Sequence, residues 1–258
     1  MAKSIEDECR RNGWNLILCN TNDLHEREMK YLQMLADKGV DGVLICMARE
    51  NDSEKVEEMV ALMDSLNIPF VLVDRFYPEV KGCSVIVDHD EGGYLAAREL
   101  IEKQCRSILF LRDQKKASTI RQRRSGYLEA LEEAGIAFQE SWEIMTKSDY
   151  ASVFKTVTNL LMQKGCFFDG VFATNDNMAL ACLHALHAQH IQVPDQVKIV
   201  GFDNVSISQF CHPALTTITQ NTELMAEAAG DALLKRIHHE LDKQEFIIPV
   251  SLCVREST

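Results

Sequence analysis

Short runs of Val, Ile, Leu and Phe recur from residue 15 to residue 202, each followed by a longer stretch of helical periodicity, and this alternation restricts the chain more than any other feature. Parallel strands need a long crossover, which a helix supplies, so the pattern predicts an α/β architecture of parallel sheets flanked by helices. The strand candidates are residues 15–19, 42–47, 70–73, 84–88, 107–111, 170–174 and 198–202. Helices are expected over 2–11, 26–38, 53–66, 92–103, 121–134, 152–164, 177–190 and 223–241. Over 53–66, Val56, Met59, Val60, Met63 and Leu66 form one apolar stripe, with Ser53 the expected N-cap and Asn67 and Pro69 ending the helix.

A chain of 258 residues suits one large α/β unit or two lobes. No repeat or Pro/Gly linker divides it, so two lobes would have to be interleaved, with the chain crossing between them several times. The helix over 2–11 stands where a βαβ layout expects a strand, so the sequence is expected to begin one element late. Ala226, Ala228, Ala229 and Ala232 suit close packing of the last long helix against a sheet or a second chain.

Composition removes several function classes. The formal charge of -12 would repel a phosphate backbone, so the chain itself is not expected to grip DNA. Its nine cysteines are odd in number, widely spaced and without a C-x-x-C pair, which argues against a disulfide framework or a zinc ribbon and for a reducing cytoplasm. The first 13 residues lack the apolar core of a signal peptide, and no run approaches the roughly 18 apolar residues of a membrane span.

Catalytic constellations are also missing. There is no phosphate loop, no G-x-G-x-x-G and no G-x-S-x-G. The run His25-Glu26-Arg27-Glu28-Met29 begins like a zinc-protease helix, but Met29 replaces the second histidine. His184, His187 and His190 drift around their helix at three-residue steps and read as a solvated or chain-facing side. No catalytic residue, metal or cofactor is therefore expected.

Open α/β sheets bind ligands beyond the carboxyl ends of their strands, which directs attention to Asp74 and Arg75, to Asn175 and Asp176, and to Asp203 and Asn204. Asp and Asn also cap helices and make turns, and capping is the simpler account of Asp176. With Arg123 and Tyr150 nearby in the pattern, these groups suit a polyhydroxylated ligand: carboxylates accept from hydroxyls, Arg offers a planar fork of donors, and a ring covers an apolar sugar face. Lys115, Lys116, Arg121, Arg123 and Arg124 crowd ten residues without an acid, which permits either a sugar phosphate or simply an exposed helix flank.

Residues 197–203 (VKIVGFD), Pro213-Ala214-Leu215-Thr216-Thr217-Ile218 with Gln220, and the ending Arg255-Glu256-Ser257-Thr258 resemble signatures of the lac repressor family of transcription regulators. Asp74-Arg75, Arg123-x-x-Gly126-Tyr127 and Thr174-Asn175-Asp176 fall in the family's order between them. The resemblance implies a core like the type I periplasmic binding proteins, with effector held between two interleaved lobes: 1–87 plus 220–247, and 88–219 plus 248–258. It further implies effector contacts at Asp74, Arg75, Arg123, Tyr150, Asn175 and Asp203, a homodimer, and operator DNA read by a helix-turn-helix headpiece that these 258 residues do not include. The first core strand is expected to be missing with it. An exported sugar-binding protein of a transporter shares the architecture, and an α/β enzyme is the remaining alternative.

Overall fold

The computed structural model describes residues 1–48, 52–75, 77, 80, 82–115, 117–241 and 244–258. Along the chain run α1 (Ala2–Arg11), α2 (His25–Asp37), β1 (Val43–Ile45), α3 (Ser53–Leu66), β2 (Phe70–Val73), β3 (Cys83–Val87), α4 (His89–Glu102), β4 (Ile108–Asp113) and α5 (Ser118–Glu133). They are followed by β5 (Glu143–Thr146), α6 (Tyr150–Lys164), β6 (Gly170–Ala173), α7 (Asp176–Ala188), β7 (Lys198–Phe202), β8 (Thr216–Gln220), α8 (Thr222–Ile237), β9 (Glu245–Ile248) and β10 (Val250–Cys253). The expected α/β alternation is what forms.

Two compact units result, one of Met1–Val87 with Asn221–Pro249, the other of Asp88–Gln220 with Val250–Thr258. Unit 1 carries a four-stranded parallel sheet in the order β1-β2-β3-β9. Its interior is built from Met47, Met59, Met63, Phe70 and Leu72, with α8 laid against β2 and β3 through Met225, Ala226, Ala229 and Ala232. The alanines thus face a sheet. Unit 2 carries six strands in the order β10-β8-β7-β6-β4-β5, parallel except for β10 against β8. Phe110, Tyr127 and Phe172 sit at the centre of its core, and the Tyr127 hydroxyl donates to the Ile108 carbonyl at 2.8 Å.

One expected strand does not form. Residues 15–19 are irregular, and Leu16, Ile17 and Leu18 are exposed, Leu18 by 72 %. An apolar run becomes a strand only where a neighbour completes its ladder, and β1, the edge of the unit 1 sheet, pairs with β2 alone among the described residues. In the opposite direction, β5, β8, β9 and β10 were not anticipated from their residues.

Helix starts also moved, with consequences for the site. Asp52, not Ser53, caps α3 by accepting from the Lys55 amide at 3.4 Å, and Asn67 ends that helix in the left-handed region at φ 51°. Asp88 caps α4 by accepting from the Glu91 amide at 2.9 Å, so the helix begins at His89 and not at residue 92. Helices α4 and α5 then cross so closely that a Cβ at Gly93 would overlap the Arg123 carbonyl and one at Gly126 the Asp90 carbonyl. That crossing brings Arg123 of α5 beside the first residue of α4.

Candidate functional site

Three strand ends of unit 2 meet around Arg123. The residue is only 7 % exposed, its guanidinium lies 3.5 Å from the centre of the Phe202 ring at the end of β7, and it donates from Nη1 to the Thr174 carbonyl beyond β6. Flat stacking of a guanidinium on an aromatic face is favourable and fixes the plane of the fork. Along the other edge, Nε and Nη2 stand 3.4 and 3.3 Å from Nδ1 of buried His89. A guanidinium can only donate, so His89 Nδ1 holds a lone pair and the imidazole proton is on Nε2. Burial, reinforced by the charge of Arg123, holds His89 well below its ordinary pKa, and at neutral pH it is uncharged.

Asp203 stands opposite, in the left-handed region at φ 104°, a conformation that costs a non-glycine residue energy and is kept where surrounding contacts enforce it. Those contacts are visible. The Asp203 amide donates to the Ile218 carbonyl at 2.9 Å, and Gln220 Nε2 donates to Asp203 Oδ1 at 2.6 Å. Arg123 Nη2 is 3.7 Å from the same oxygen. The following residues are held from below by Asp176, whose carboxylate accepts from the Val205 amide at 2.8 Å and the Thr217 hydroxyl at 2.6 Å. Burial pushes the Asp176 carboxyl up to about 6, against the pull of those two hydrogen bonds.

Asn175 rather than Asp176 caps α7, its Oδ1 accepting from the Met178 amide at 2.9 Å. Through Thr174 it adjoins Arg123. Tyr150 stands elsewhere: it opens α6, is 52 % exposed, stacks on Phe154, and its hydroxyl lies 3.0 Å from His184 Nδ1 on α7. The structure therefore brings Arg123, Asn175 and Asp203 together, and no described contact joins Tyr150 to them.

Unit 1 has its own strand-end cluster. Asp74 is in the left-handed region at φ 69°, with Cys46 Sγ 3.8 Å from Oδ2, and Arg75 donates to Asp23 at 2.9 Å and to the Met47 carbonyl at 3.0 Å. Glu28 accepts from the Ala48 amide at 2.9 Å, and His25 bridges towards Glu58 at 2.8 Å. Burial raises the Glu28 carboxyl. The run that resembled a protease helix thus makes polar contacts within unit 1, and among the described residues no group of three or more His, Cys, Asp or Glu could hold a metal.

The basic run does not form one patch. Arg123 turns inward, whereas Arg124 and Arg112 both pair with Glu143, at 2.7 and 2.5 Å. Burial raises the Glu143 carboxyl, but hydrogen bonds from the two arginines outweigh it and the net shift is downward. Arg121 is exposed, and Lys116 lies outside the described residues.

Residues 97–258 match the family described as a periplasmic binding protein-like domain. Over 257 residues the chain is 32% identical to the HTH-type transcriptional repressor PurR of Vibrio campbellii, a match covering 98% of this chain and 75% of that protein. The chain belongs to the lac repressor family of transcription regulators. Solved structures of lac repressor-type regulators agree. One is the transcriptional regulator CelR in complex with cellobiose, 29% identical with a TM-score of 0.86, covering 99% of this chain and 77% of that one. Another is a LacI family regulator of Enterococcus faecium with bound ribose, 26% identical with a TM-score of 0.85, covering 100% and 92%. The relatives are named as repressors, not enzymes, and no described helix is long and apolar enough to cross a membrane.

Three members of the unit 2 site were not singled out in the sequence of this lac repressor relative, namely His89, Phe202 and Gln220, and Asp176, read there as a cap, is a buried hub. The strand-end rule would have found His89, which follows the 84–88 strand directly, and Gln220 lay within a quoted motif. Phe202 lay within the quoted 197–203 run, but a ring at a strand end reads as core.

Proposed function

We propose that this chain is the effector-sensing core of a DNA-binding transcription regulator and that Arg123, Asn175 and Asp203 form its effector contacts on unit 2. The observation that carries this is the buried Arg123 guanidinium, held flat on Phe202 beside an Asp203 fixed in a strained turn. Rigid donors and acceptors of this kind suit the hydroxyls of a small uncharged carbohydrate, and ribose and cellobiose, bound by structural relatives, are the first candidates. A phosphorylated sugar is less favoured, since Glu143 engages Arg124 and Arg123 turns inward, which divides the basic run that would recruit it. The resemblance also assigns effector contacts to Asp74 and Arg75 on unit 1 and to Tyr150, each to be tested by separate substitution.

In this reading the two units are the lobes of the core, the active species is a homodimer, and operator DNA is contacted by a headpiece, which the acidic charge of these residues makes necessary. Effector shifts the regulator between states of different operator affinity, as linkage requires of any ligand that prefers one state. Nine free cysteines support a cytoplasmic protein over an exported transporter component. Calorimetry with ribose and cellobiose tests the reading: binding to the wild type should fall tenfold or more in Arg123→Ala, about the 1.5–3 kcal/mol of a charged hydrogen bond. Unchanged affinity in that variant would refute the site.

A further inference from the structure

We propose that His89 is the positioning residue of the unit 2 site, occupying the Nε/Nη2 edge of Arg123 so that this arginine meets an effector as a fixed donor and not as a bidentate clamp for an anion. The inference rests on the effector site assigned above and adds what selects its ligand.

The edge formed by Nε and Nη2 is one of the forks with which arginine grips carboxylate or phosphate through two parallel hydrogen bonds. Here both nitrogens of that edge point at one acceptor, His89 Nδ1, at 3.4 and 3.3 Å. The opposite amine, Nη1, is committed to the Thr174 carbonyl, and one face of the guanidinium is covered by Phe202. An arginine loses about 2 kcal/mol of rotamer freedom when it is ordered, so contacts made before ligand arrives leave less to be lost on binding.

His89 is itself immobile. It is 1 % exposed, it opens a helix capped by Asp88, and its ring lies 5.8 Å from that of Phe202. The close α4–α5 crossing at Gly93 and Gly126 sets its distance from Arg123. An uncharged acceptor at this place anchors the guanidinium without neutralising it, whereas a carboxylate there would cancel its charge. His89 thus leaves the charge of Arg123 to Asp203, whose Oδ1 stands 3.7 Å from Nη2, while the bidentate geometry is denied to the ligand.

Nitrogen NMR of the ligand-free protein tests the geometry without knowledge of the effector. His89 should show a lone-pair Nδ1 and a protonated Nε2, and the Arg123 Nε–H, identified by its loss in Arg123→Lys, should exchange slowly. A proton found on Nδ1 overturns the proposal, with no variant required. In His89→Leu the slow Nε–H should disappear, and in His89→Asn, whose amide oxygen can stand where Nδ1 stood, it should return.

Calorimetry with ribose, cellobiose and ribose 5-phosphate then reads the consequence. His89→Leu should weaken whichever uncharged sugar the wild type binds by tenfold or more and shift preference towards ribose 5-phosphate, and His89→Asn should recover most of the loss. Retention of both the Nε–H signal and sugar affinity in His89→Leu would overturn the proposal. If no sugar binds the wild type while the NMR pattern holds, the effector reading fails but the positioning of Arg123 by His89 stands.

Discussion

The strand ends of the two units carry similar residue types and treat them in opposite ways. In unit 2, Arg123, His89 and Asp176 are buried, with Arg123 Nη2 against His89 Nδ1 and the Thr217 hydroxyl donating to Asp176, each contact between different elements. In unit 1, Arg75 and Asp23 pair at 2.9 Å with side chains 22% and 37% exposed, and Cys46 near Asp74 is exposed as well. Burial makes the first cluster rigid and costly to disturb, and water makes the second adjustable and weakly coupled to stability. A rigid cluster is suited to recognition, a loosely tied one to rearrangement.

Substitutions should separate the two. The largest effect is expected for Gly126→Ala, whose Cβ overlaps the Asp90 carbonyl and cannot be accommodated without parting α4 from α5; urea denaturation should show a loss of about 3 kcal/mol, as for overpacked cores. A loss below about 1 kcal/mol would mean that the crossing is looser than described. Next comes Asp176→Ala, which strands the Val205 amide and the Thr217 hydroxyl and should cost about 2 kcal/mol.

The same residue gives a pH signature. In the folded protein the Asp176 carboxyl takes up its proton at about 6, above the value of about 3.9 expected when unfolded. A raised carboxylate makes the native state the stronger proton binder, so this group stabilises folding increasingly as pH falls from 7 towards 4. Relative to Asp176→Asn, the wild type should therefore gain on the order of 2 kcal/mol between pH 7 and pH 4.5, measured by urea midpoints; a constant difference would exclude it. The smallest effect belongs to unit 1, where Asp23→Ala should cost less than about 1 kcal/mol, and a larger loss would remove the contrast between the units.

The sheets were legible because buried parallel strands read as continuous apolar runs, and six of the seven expected strands form. Residues 15–19 have the same composition and fail, since ladder partners are a property of the whole sheet. Strand β8 was hidden by its threonines, whose polarity is absorbed inside: the Thr216 hydroxyl accepts from the Arg255 amide, and the Thr217 hydroxyl donates to Asp176. Strands β9 and β10 are short, partly exposed and separated by Pro249, so no alternation announced them. Of the proposed site, Arg123 and Asp203 came from motifs and Asn175 from a strand end. His89 was concealed by a helix start placed three residues late, and sequence order does not show that the Tyr150 hydroxyl turns to His184.

The chain passes from one unit to the other at Val87–Asp88, at Gln220–Asn221 and at Pro249–Val250. During synthesis, unit 1 can cover β2 and β3 only after α8 has emerged, more than 130 residues after β3 is made. Unit 2 must wait longer, because β10 borders β8, and Ser257 ties β7 to Thr216 through the Ile199 carbonyl. Unit 1 is complete only once residue 249 is available and unit 2 only once residues 250–258 are, and a nascent chain stalled at residue 220 would expose two unfinished sheets to chaperones and proteases.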